Sequence, residues 1–199
     1  MARSDEALID AHRQGDATAF GELVCRYADS LLGYLIRMSR DRQQAEDFFQ
    51  ETFRKVHQKA ETFEGRGRFK SWLFSIAANV AIDGMRKQSR QPKMISLNQN
   101  NDCPDCGILE SGTALEAEKS TNPFQTAVLT EQKTRVQQAL TQLPYRQRTA
   151  LILSYYQGLT YKEVAQAMGC SLGTVKTHIF RALKTLADLL PDFQGGTIK

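Results

Sequence analysis

The chain has 199 residues, enough for one or two small domains with apolar cores of their own. It holds no apolar run of the 18 or more residues a membrane helix needs. Its start, MARSDEALID, lacks a secretory pattern, so a cytoplasmic protein with no membrane insertion is expected.

The net charge of +4 is unevenly spread. Residues 1–63 carry 9 Lys/Arg against 11 Asp/Glu and residues 64–93 carry 7 against 2. Residues 94–125 carry 1 against 5, and residues 126–199 carry 9 against 4. Two basic segments separated by an acidic one point to two nucleic-acid contacts rather than one diffuse patch.

In chain order, Ser4 is placed to cap a short helix through Leu8 and Ile9 that stops at Gly15. Asp16 caps the next, in which Phe20, Leu23, Tyr27, Leu31, Tyr34, Leu35 and Met38 keep the helical period. Asp41 and Gln44 have capping-box spacing and open a third helix with Ala45, Phe49, Phe53, Val56, Ala60 and Phe63 in register. Its other face is Asp47, Gln50, Glu51, Arg54, Lys55 and Gln58, with Phe48 beside it. Such a face is either simply solvated or a partner site, and an aromatic rimmed by charges suits the second.

Glu64 to Arg68, EGRGR, reads as a flexible basic loop whose glycines and arginines allow close approach to phosphates. After it, Phe69, Trp72, Leu73, Ile76, Ala77 and Val80 make a buried stripe, with Lys70, Ser75, Asn79, Asp83, Arg86 and Lys87 facing elsewhere. Trp72 reads most simply as a core anchor. Residues 94–124 are poor in large apolar groups, acidic and without period, so a flexible linker is expected. Cys103 and Cys106 form a lone CPDC there; a zinc site needs four ligands, and no second pair is present. Cys25 and Cys170 read as small apolar residues, and no structural disulfide is expected.

Thr160 and Glu163 have capping-box spacing, Val164, Ala165 and Met168 share a face, and Gly169 supplies a left-handed stop. Ser171 caps a second helix whose apolar stripe is Leu172, Val175, Ile179, Ala182, Leu183 and Leu186. The pair reads as a helix-turn-helix whose second helix enters a DNA major groove. Opposite the stripe stand Gly173, Thr177, Phe180, Arg181 and Lys184, flanked by Thr174 and Lys176. Hydroxyls, cations without anions and an outward aromatic suit base edges and phosphates; the competing reading is an ordinary helical hairpin. No phosphate-binding Gly loop, zinc-protease motif or nucleophile elbow occurs, so no catalytic residue, metal or cofactor is assigned and an enzyme is not expected.

DFFQETFRKV (47–56), FKSWLFSIAANVAID (69–83) and LPYRQRTALILSYYQGLTYKEVAQAMGCSLGTVKTHIFRALKTL (143–186) together resemble an extracytoplasmic-function (ECF) sigma factor of the sigma-70 family. The resemblance implies an all-α chain of two small helical domains, sigma domain two (1–93) and sigma domain four (125–199), joined by the acidic linker 94–124. It implies an alternative sigma factor that binds core RNA polymerase, through the β′ clamp helices and the β flap, and directs promoter-specific initiation. The docking set is Asp47, Phe48, Gln50, Glu51, Phe53 and Lys55, although aliphatic residues are commoner in the family at Phe48 and Phe49. The set for the −10 element, met as separated strands, is Arg66, Arg68, Phe69, Lys70, Trp72, Asn79, Arg86 and Lys87. The set for the duplex −35 element is Ser171, Gly173, Thr174, Lys176, Thr177, Phe180, Arg181 and Lys184. An anti-sigma partner is expected on the same ground. The competing function is a helix-turn-helix regulator that binds duplex DNA without docking on the polymerase, its first half being a sensory or dimerisation module.

Overall fold

A computed structural model describes residues 3–39, 41–64, 68–90 and 123–191. Those residues form α1 (Asp5–Arg13), α2 (Ala17–Met38), α3 (Arg42–Lys59), α4 (Phe69–Arg90), α5 (Pro123–Gln142), α6 (Tyr145–Tyr155), α7 (Tyr161–Met168) and α8 (Leu172–Leu189). A 3-10 turn, Ala60–Thr62, follows α3. Among the described residues there is no strand, and the all-α expectation holds. Of the expected linker, 94–124, residues 94–122 with Cys103 and Cys106 lie outside the described residues, as does Arg66, while its last two residues, Pro123 and Phe124, already belong to α5.

The helix starts follow the local chemistry. Ser4 Oγ accepts from the Ala7 amide, an Asp16 carboxylate oxygen from the Thr18 amide, and an Asp41 carboxylate oxygen from the Gln44 amide. Each removes one of the free amides a helix start carries, worth about 1 kcal/mol per cap. At Asp41 only half of the expected box forms, and the Gln44 side chain turns elsewhere, its Nε2 donating to Gln88 Oε1 at the far end of α4 (3.2 Å). Thr160 and Glu163 complete theirs, and Gly169 closes α7 at φ +59, a left-handed conformation that costs glycine least.

Helices α1 to α4 pack around Leu8, Leu23, Leu31, Leu35, Phe69 and Leu73, all fully buried. Helices α5 to α8 pack around Leu140, Ile152, Val164, Val175 and Ala182. The two cores are continuous. Helix α4 has α3 on one side and α6 and α7 on another, and α2 meets α5 and α6. This explains a stripe wider than the periodicity predicted: Phe74, Ala78, Ala81 and Ile82 are buried in addition to the expected residues. Phe74 stands edge-on to Tyr34 with ring centroids 5.6 Å apart.

Polar groups bridge the same junction. The last carbonyls of α2 have no partner within the helix. Gln137 from α5 donates to Ile36 O (3.0 Å), and buried Arg148 from α6 donates to Met38 O (2.6 Å). Arg148 also donates to the carbonyls of Thr141 and Leu143 (2.6 and 3.0 Å), closing the turn between α5 and α6. A cation at the negative end of α2 is favourably placed.

Candidate nucleic-acid interface

The outward face of α8 is built as the periodicity required. Val175, Ile179 and Ala182 are buried, while Gly173, Lys176, Thr177, Arg181 and Lys184 are exposed. Phe180 is 70% exposed, the most exposed large apolar residue described. Leu172, expected in the stripe, is instead 39% exposed at the first turn, before the helix reaches its neighbours.

Three residues assigned to this face also do other work. Ser171 Oγ accepts the Thr174 amide (3.1 Å) and shares a hydrogen bond with Thr174 Oγ1 (2.8 Å), so both hydroxyls are engaged in capping α8. Thr177 donates its hydroxyl to Gly173 O (2.9 Å), leaving oxygen lone pairs as its outward chemistry. His178, half-buried beside this face, has its pKa lowered by burial and then by the guanidiniums of Arg146 and Arg181. Burial raises the Cys170 thiol, which therefore lacks the thiolate character of a reactive cysteine. Cys25, which reads as a small apolar residue, is exposed on α2.

The first basic segment divides into core and surface. Phe69 is fully buried against Tyr27, Phe63 and Trp72, with ring centroids 5.5, 5.9 and 5.8 Å away, so its assignment to DNA is corrected: it holds the start of α4. Trp72 is half-buried in the same aromatic cluster. Lys70 is half-buried and donates to Gln157 O (2.8 Å), across the junction between the halves. Arg68, Asn79, Arg86 and Lys87 are exposed.

On α3, Asp47 and Gln50 are exposed. Glu51 accepts two hydrogen bonds from Arg54, both 2.7 Å, and has Lys55 Nζ at 3.6 Å; the hydrogen bonds from Arg54 lead in lowering its pKa. Phe53 is only 6% exposed, packed on Phe49 and Phe20, so its place in a docking surface is corrected as well. Phe48 is half-buried and lies over Gly84, where a Cβ would stand 2.3 Å from its ring. Around that ring an open groove of about 480 Å³ brings Glu51 and Lys55 of α3 together with Asp83, Arg86 and Lys87 of α4. The sequence reading had placed Glu51 and Lys55 in one site and Arg86 and Lys87 in another, and Asp83 in neither.

Residues 23–91 match the family described as Sigma-70 region 2, and residues 133–186 match Sigma-70, region 4. The RNA polymerase sigma-H factor of Pseudomonas aeruginosa is 34% identical over 92% of this chain and 91% of its own. The ECF RNA polymerase sigma-E factor of Haemophilus influenzae is 34% identical over 90% of this chain and 91% of its own. The chain belongs to the ECF branch of the sigma-70 family. The solved structure of the sigma factor RpoE from Bartonella quintana, in complex with the anti-sigma factor NepR, is 27% identical. It has a TM-score of 0.63, covering 88% of this chain and 98% of that one. The protein is thus an alternative sigma factor, and sigma factors are transcription initiation factors; the regulator without a polymerase is not favoured. Among the described residues no helix is long and apolar enough to cross a membrane.

Proposed function

We propose that this sigma factor acts in the cytoplasm by docking on core RNA polymerase and reading two promoter elements with its two halves, residues 1–93 and 125–199, the acidic stretch 94–124 connecting them. Helix α8 lies in the duplex groove of the −35 element, with Lys176, Phe180, Arg181 and Lys184 toward the DNA and Thr177 offering an acceptor. Arg68, Asn79, Arg86 and Lys87 meet the −10 element after its strands part, when base edges become readable. Asp47, Gln50, Glu51 and Lys55, with the edge of Phe48, meet the β′ clamp helices. The chain directs the polymerase's chemistry and performs none itself. An anti-sigma factor is its expected regulator, supported by the complex in which the Bartonella quintana relative was solved.

The observation that carries this reading is Phe180, 70% exposed among cations and hydroxyls on the second helix of a helix-turn-helix. A solvated face gains nothing from that ring, whereas a thymine methyl does. The test is initiation in vitro with Pseudomonas aeruginosa core RNA polymerase on fragmented genomic DNA, with transcript 5′ ends sequenced. The expected outcome is a set of start sites sharing one motif near −35 and one near −10. No retention by core in a pull-down, or start sites without a shared motif, would sink the reading.

A further inference from the structure

Helix α1 grips the chain on both sides of Glu64 to Arg68, the basic stretch that leads into α4. On the entry side, Arg13 Nε donates to Ala60 O (2.7 Å) and its Nη2 to Phe63 O, while Asp10 holds its Nη1 (3.0 Å). One planar guanidinium thus occupies two carbonyls of the 3-10 turn that follows α3, a task a lysine cannot perform. On the exit side, Glu6 Oε1 accepts the Phe69 amide through a long hydrogen bond of 3.4 Å. That amide is one of the free donors at the start of α4. Asp5, beside Glu6, accepts the Tyr27 hydroxyl, and the Tyr27 ring packs on Phe69 with centroids 5.5 Å apart.

Glu6 and Arg13 fall two turns apart on one face of α1, about 10 Å along its axis. The chain from Phe63 to Phe69 spans about 20 Å when extended, yet these two rings meet edge-on with centroids 5.9 Å apart. The two ends are therefore fixed twice, by rings on the inside and by the polar side chains of α1 on the outside. Both Glu6 and Arg13 are half-buried, and neither belongs to the polymerase or DNA sets.

We propose that Glu6 and Arg13 are positioning residues for the −10 contact: α1 sets the separation of Phe63 and Phe69, and with it where Arg68 stands when a separated strand arrives. Arg68 is exposed and stands immediately before Phe69, so the anchor at Phe69 acts on it directly. A cation ordered in advance spares the strand an ordering cost worth about twofold to tenfold in affinity. It also discriminates, because a base edge out of register meets no donor, whereas an unfixed cation adapts to either base. This inference rests on the reading of Arg68 as a −10 contact.

The test uses holoenzyme assembled from the full chain and Pseudomonas aeruginosa core RNA polymerase. Its probes are a non-template −10 strand carrying the motif recovered from the mapped start sites, the same strand with one motif base changed, and −35 duplex. Arg13→Lys keeps the charge and loses the two-carbonyl grip; Glu6→Ala removes the acceptor, and Glu6→Gln restores one oxygen. Arg13→Lys and Glu6→Ala should each bind the motif strand about threefold to tenfold more weakly and the changed strand nearly as before, so the preference falls by the same factor. Affinity for core and for −35 duplex should not change, and Glu6→Gln should match the wild type. A merely structural role would lower the melting temperature without moving the base preference. Circular dichroism checks folding; if Arg13→Lys is not helical, the two Glu6 variants decide alone. Full preference in the folded variants, equal weakening on both strands, or Glu6→Gln as defective as Glu6→Ala would each overturn the proposal. A wild type that does not distinguish the two strands brings down the −10 reading of this surface itself.

Discussion

Helices α4 and α8 are the two candidate DNA readers, and they are built on opposite plans. Helix α8 has one buried stripe and one open face, so its period reports its task directly. Helix α4 is packed from more than one side, with Phe69, Leu73, Phe74, Ala77, Ala78 and Ala81 fully buried, and its exposed cations, Arg86 and Lys87, stand in its last turns. A helix that is apolar nearly all round is an interior element. Its surface role is confined to its exposed ends, and the reader there depends on the neighbour covering the middle.

The sharpest way to break this contrast is aromatic truncation. Phe69→Ala removes a fully buried ring and should cost about 3–5 kcal/mol in chemical denaturation. Phe180→Ala should stay within about 0.5 kcal/mol and yet weaken binding to −35 duplex. Equal destabilisation by both substitutions would erase the distinction between core and reader.

Next in size is the cation pair proposed to face DNA, Lys176 and Arg181. If Arg181 reads a base through both guanidinium nitrogens, Arg181→Ala should cost about 1–3 kcal/mol and relax preference at one −35 position. If Lys176 meets phosphate, Lys176→Ala should weaken all sequences alike and lower the salt slope by about one unit. Competition binding across ionic strengths separates the two.

A smaller effect probes the far side of α4. Gly84→Ala should gain helix propensity of about 1 kcal/mol, but its Cβ meets the Phe48 ring. In a Phe48→Ala background the same substitution should therefore be more favourable by about 1 kcal/mol or more than in the native one. A thermal double-mutant cycle with no coupling would mean that Phe48 swings clear at no cost.

These contrasts also show what sequence reading reaches. Caps at Ser4, Asp16, Asp41, Thr160 and Ser171, and the open face of α8, follow from local chemistry and a single period, and all five caps form. Phe53 and Phe69 were misassigned because a family motif names a neighbourhood, whereas burial is decided by helices distant in the chain, α1 and α2. The junction was not foreseen. Gln137, Arg148 and Gln157 look like ordinary polar helix residues, and their partners are main-chain carbonyls, which no side-chain pattern marks. One signal was present: Phe74, Ala78 and Ile82 on the supposed outer side of α4 announced a second covering layer.

The least effect expected is one of pH. Glu163 is held below the ordinary carboxylate range chiefly by the Thr160 hydroxyl and amide. A lowered folded-state value means that this support is complete above the ordinary Glu range and is lost as pH falls through the folded value. Glu163→Gln should lower the melting temperature slightly at neutral pH, and the gap should close in acid. A gap that persists at low pH would assign the effect to packing.

Capping α2 from the other half also sets a timetable for synthesis. Arg148 leaves the ribosome 110 residues after Met38, whose carbonyl it occupies. At about 5–20 residues per second, that end of α2 and the second apolar side of α4 wait roughly 5–20 s for their cover. During that interval the first half is a sticky intermediate, and chains growing side by side on one message meet each other's α4 before their own α7 exists. Slow translation lengthens this exposure, so the interval between the two halves, more than the length of either, sets how long the bared side of α4 waits for its cover.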